Sequence, residues 1–223
     1  MATSKKSTLD KDLKRFVQLE KASSRISSGN LNMGFGLLFL IGVWVFAFFK
    51  TGGSEVSSIV TVAALVGAYM AMNIGANDVA NNVGPAVGSK ALTLAGALVI
   101  AAIFETAGAL IAGGEVISTI SKSIVSPEAF ADKTIFIWAM MSALLSAAVW
   151  VNLATYLGAP VSTTHSIVGG VLGAGISAAG IAAVDWAVML KIAASWVISP
   201  VLGGIIAAAF LAFIKFAILY RED

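Results

Sequence analysis

Two short polar stretches carry the groups able to do chemistry in an otherwise apolar chain. The first is Gly75-Ala-Asn-Asp-Val-Ala-Asn81, continuing through Asn82-Val-Gly-Pro85. A lone carboxylate such as Asp78 in apolar surroundings must be neutralised by a proton or a cation. Asn77, Asn81 and Asn82 fall at i−1, i+3 and i+4, so on a helix their neutral oxygens cluster around it. Hard oxygens about one carboxylate suit a monovalent cation such as sodium, with Asp78 and Asn81 as its ligands. Aspartate also suits a helix N-cap, and the two roles are compatible.

The second stretch is Pro160-Val-Ser-Thr-Thr-His165. Ser162, Thr163 and Thr164, with the free N–H groups of a helix start, make a donor-rich nest for an oxyanion. An ordinary helix cap reads the same way. Glu105 lies among apolar residues, where an acid pairs or titrates. His165, the single histidine, reads as a structural residue, and Lys90 as a cation snorkelling at a helix end.

No catalytic arrangement emerges. His165 has no acid partner evident in the sequence. Asp78 and Asp185 make a weak aspartyl pair, and no Gly-x-x-x-x-Gly-Lys-Ser/Thr segment offers a nucleotide site. No enzyme activity, cofactor or nucleic-acid partner is expected.

The elements that must hold these groups are membrane helices. Of 223 residues, 58% are hydrophobic and 12% charged, about half the charge of a soluble domain. Apolar runs of about 20 residues predict an integral, multi-pass, all-α membrane protein. There is no cysteine, which excludes disulfides and thiolate metal sites. Residues 1–30 form a basic, amphipathic tail, and its positive charge ahead of the first span favours a cytoplasmic N-terminus.

Residues 31–223 then read as the transmembrane region. Spans are predicted at 33–49, 56–74, 92–111 and 135–157, with a half-helix at 166–181. A break is expected at Gly113-Gly114 and an amphipathic piece at 115–126. The run 186–220 is expected to be interrupted at Ser199-Pro200 and Gly203-Gly204. Two discontinuous, re-entrant segments, at 75–90 and 158–170, give a transporter-like pattern, since broken helices place backbone dipoles at mid-membrane.

These residues resemble a known signature. Gly75 to Asn81, continuing through Val87-Gly-Ser-Lys-Ala-Leu-Thr93, is similar to the motif of the PiT family of inorganic phosphate transporters. Ile103-Phe-Glu105 and Pro160 to His165 resemble its further motifs, in the expected order. The likeness runs from about Val56 to Gly175, and Asn82-Val-Gly-Pro85 departs from the commoner small-residue continuation. It implies a symporter of the plasma (inner) membrane, driven by sodium or protons and importing phosphate. It implies two inverted repeats, of which this chain resembles the first. Asn77, Asp78 and Asn81 would then serve the cation and phosphate site, Ser162, Thr163 and Thr164 would hold phosphate oxygens, and Glu105 would matter for transport. A second transporter half, or another copy of the chain, would complete the site. A sulfate or other oxyanion permease, or a non-transporting membrane phosphate sensor or scaffold, are the alternatives.

Overall fold

A computed structural model describes residues 33–52 and 55–219; the basic segment 1–30 lies outside the described residues. Among these the chain is helical, with five helical runs long and apolar enough to cross a membrane. The protein is an integral, multi-pass, all-α membrane protein. It divides into two compact units, Met1–Asn73 and Ile74–Asp223.

The first unit contains α1 (Met33–Thr51) and α2 (Glu55–Ile74). Gly36 matters there, because a Cβ at that position would meet the Cε of Met72 at 2.8 Å. The second unit begins with a π-helical turn, Gly75–Val79, running directly into α3 (Ala80–Gly88). It continues through α4 (Leu94–Ser118), α5 (Lys133–Tyr156), α6 (Thr163–Ala179) and α7 (Trp186–Ile214).

The helix starts are set by side-chain caps. Thr93, Asp132, Ser162 and Asp185 each accept a backbone N–H in the first turn of α4, α5, α6 and α7 respectively. Each satisfies a donor that a helix N-terminus leaves orphaned. Asp185 is thus a cap and stands apart from Asp78 chemically.

The tightest packing is between α5 and α6. Ala139, Ala143, Ala147 and Ala154 bury a stripe of small side chains on α5, and small residues let helix backbones approach. A Cβ on Gly170 would sit 2.6 Å from the Ala143 carbonyl oxygen, so glycine is required at that crossing. The core continues into Ile124, Val125 and Phe130 of the α4–α5 connection, against Val168, Val171 and Val184. By contrast, none of the most apolar window of α7 is buried within the chain.

Several expected interruptions are absent. Gly113 and Gly114 lie within α4, which passes into a π turn at Thr119–Ser123. Pro200, Gly203 and Gly204 lie within an uninterrupted α7. In apolar surroundings an intrahelical hydrogen bond is worth more than in water, and that outweighs weak local propensity. Likewise 75–88 is helical throughout, and the chain breaks only afterwards, at Ser89–Thr93. There Lys90 takes φ 63°, the left-handed geometry that glycine usually supplies at a helix end. Of the segment expected to be discontinuous at 158–170, the part up to Ser162 is non-helical, and helix resumes at Thr163.

Candidate functional site

The break after α5 follows from its residues. Gly158 adopts φ 69°, and Pro160 lacks a donor and disfavours helix at Ala159. That leaves backbone polar groups without helical partners, and such groups must be paired where water does not reach them. Asn77 pairs them. Its Nδ2 donates to the Ala159 carbonyl oxygen at 3.2 Å, and its Oδ1 accepts from the Val161 N–H at 3.3 Å. The carboxamide therefore stands in for a peptide group and brackets Pro160.

Asn77 has little left to offer a ligand. Its second amide hydrogen goes to Thr155 Oγ1 at 3.0 Å, and its Oδ1 also accepts from Asn81 Nδ2 at 3.2 Å. With two donors and two lone pairs engaged, this buried side chain is a structural clamp. Among the described residues its side chain is committed to the Pro160 break, Thr155 and Asn81. Sequence reasoning missed Thr155, which lies 78 residues away near the end of α5 with no motif of its own.

Asp78 is placed differently. Thr163 Oγ1 donates to Asp78 Oδ2 at 2.6 Å, a short, charge-assisted geometry. This bond joins the two polar stretches directly. The other carboxylate oxygen, Oδ1, accepts no hydrogen bond from the described residues. Asn81, one turn on and exposed, gives its amide to Asn77 and keeps its carbonyl oxygen open. Asp78 and Asn81 thus present two unclaimed oxygens beside a hydroxyl already fixed to the carboxylate. A π turn underlies the arrangement, and such turns recur where a helix must aim side chains out of ordinary register.

The three hydroxyls after Pro160 do not act as one nest. Thr163 is buried against Asp78. Ser162 and Thr164, about a hundred degrees to either side on the helix, line a cavity of about 560 Å³ instead. The end of α4 supplies Glu115 to it, the following π turn Thr119, and α7 supplies Ser195, Trp196 and Ser199. His165 also lines it, its imidazole packed on the Trp196 ring with centroids 4.0 Å apart. Sequence reasoning missed this wall; Ser195 and Ser199, one turn apart with Trp196 between, are the signal that could have found it.

Glu105 is not brought to Asp78. The break at 89–93 returns α4 beside α3, and Glu105 lines a separate cavity of about 410 Å³ with Asn82, Val83 and Ala86. It is exposed there and shares no hydrogen bond with Asp78 or Thr163 among the described residues.

Comparison with known proteins bears on the family. The model of the phosphate transporter family matches residues 74–223. A Helicobacter pylori protein named as a phosphate permease is 53% identical over 212 residues, covering 95% of this chain and 40% of that protein. A Chlamydia muridarum protein named as a phosphate permease is 47% identical over 161 residues, covering 70% of this chain and 37% of its own. A solved structure of a protein named as a sodium-dependent phosphate transporter matches with a TM-score of 0.70 and 43% identity, over 74% of this chain and 41% of that one. The chain therefore spans about 40% of the length of such relatives.

Proposed function

The chain belongs to the phosphate transporter family, and from that premise we propose that it forms part of a secondary transporter importing inorganic phosphate by sodium symport across the plasma (inner) membrane. The observation that carries this reading is the Thr163–Asp78 hydrogen bond, which ties a carboxylate to the start of a hydroxyl-rich helix. Asp78 and Asn81 supply the open oxygens for the cation, and Asn77 positions them. Ser162 and Thr164 hold phosphate oxygens on the other side of the same helical turn. Cation and anion so placed offset each other's desolvation cost near mid-membrane. Sodium as coupling ion is supported by the neutral amide oxygen beside the carboxylate and by the likeness to a solved transporter named as sodium-dependent.

These residues carry one copy of each motif and span about 40% of the length of their relatives, which supports a further transporter half or a second copy of the chain completing the site. Phosphate uptake into proteoliposomes, with and without a sodium gradient, tests the function. Uptake that ignores the gradient, or sulfate uptake in its place, would overturn it. Particle size in detergent tests the assembly: a strictly monomeric chain of 223 residues that transports phosphate contradicts the need for a completing part.

A further inference from the structure

The cavity against α6 combines groups of opposite hydrogen-bonding sense. Ser162 Oγ accepts from the His165 N–H at 3.2 Å and still has its own hydrogen to give. Thr164 and Ser199 have hydroxyls with no partner among the described residues. Glu115 is on the same cavity, and a carboxylate accepts hydrogen bonds without donating any. Ile120, Ile124 and Val168 add apolar wall beside these groups, which strengthens polar contacts formed against it.

Tetrahedral oxyanions differ in what they can offer such a carboxylate. Near neutral pH phosphate and arsenate retain at least one O–H, whereas sulfate has none. Hydroxyl donors alone would hold all three. A carboxylate accepts from a P–OH in a short, charge-assisted bond, but meets only lone pairs and like charge on sulfate. We propose that this cavity is an oxyanion chamber in which Glu115 selects phosphate over sulfate and Ser199 of α7 donates to the bound anion. The inference rests on the phosphate reading above and adds its specificity determinant. Neither residue lies in the two polar stretches that first identified the site.

The test is competition against radiolabelled phosphate on the purified full chain in nanodiscs of neutral lipid at neutral pH. Arsenate should displace the label as phosphate does, and sulfate should be at least about tenfold weaker, since a site built around a polar partner rejects an analogue lacking it. Glu115→Gln, whose amide can turn an N–H toward the anion, should bring sulfate to near equality with phosphate. Glu115→Asp should keep the discrimination. Ser199→Ala should weaken phosphate and sulfate by the same factor, about three- to tenfold. Both residues are exposed to the cavity, so circular dichroism of each variant should match the parent. Sulfate competing as well as arsenate in the parent chain, or discrimination surviving in Glu115→Gln, would overturn the inference and leave phosphate as the substrate. A chain that prefers sulfate would sink the phosphate reading itself. Binding of neither anion would overturn the chamber, with uptake remaining the separate test of transport.

Discussion

Thr163 and Asp78 lie 85 residues apart in the chain and are joined by a 2.6 Å hydrogen bond. Because the hydroxyl donates, it leaves one carboxylate oxygen oriented and the other open. Thr163→Val keeps the shape and removes the donor. In the assembled transporter this should raise the sodium concentration needed for half-maximal phosphate uptake by about tenfold, the scale of a lost hydrogen bond to a charged group. Thr163→Ser should restore it. An unchanged sodium dependence in Thr163→Val would show that the bond does not serve the cation.

Asn77 and Asn81 were both candidates for the cation and phosphate site, and the structure gives them different surroundings. Asn77→Ala removes four hydrogen bonds and strands the Ala159 and Val161 backbone groups, so it should cost about 3 kcal/mol of stability. Asn81→Ala, exposed and making one such bond, should cost under about 1 kcal/mol yet still weaken sodium activation. Thermal unfolding in detergent measures the first difference. Equal losses for both would contradict the clamp.

The contrast shows what the sequence could carry. Motif spacing was enough to single out Asp78 and the hydroxyls after Pro160, and hydropathy was enough to place the apolar spans at 33–49, 56–74, 92–111 and 135–157. The pairing of Asn77 with Ala159 and Val161 was not legible, because nothing local encodes which distant break needs a surrogate peptide group. Glycine and proline also misled: Gly113, Gly114 and Pro200 sit inside α4 and α7, since the membrane interior favours hydrogen-bonded backbone over local breaker propensity. The split of Ser162 and Thr164 from Thr163 followed from helical geometry, but which side faced Asp78 required the tertiary contact.

Helix packing gives an independent check. Gly170→Ala would drive a Cβ to 2.6 Å from the Ala143 carbonyl oxygen, and backbone cannot yield as a flexible side chain does. A loss of about 1–3 kcal/mol is expected. Gly173→Ala on the same helix meets nothing within 4 Å and should not lower stability, since alanine is the better helix former. Comparable losses at both positions would mean that α5 and α6 are not this close.

Lys90 holds φ 63° at the end of α3, a conformation that costs a side-chain-bearing residue about 1 kcal/mol. Lys90→Gly relieves it and should raise stability by up to about 1 kcal/mol, read as a higher unfolding temperature. A fall would show that the lysine side chain makes a compensating contribution.

Coupling through Asp78 is best measured as phosphate uptake into proteoliposomes by the assembled transporter while the imposed sodium gradient is varied, for the parent and for Asp78→Asn. The expected result is sodium-stimulated uptake in the parent and loss of that stimulation in Asp78→Asn, with phosphate binding to the chain retained. Uptake that keeps the same sodium dependence after Asp78→Asn would contradict it.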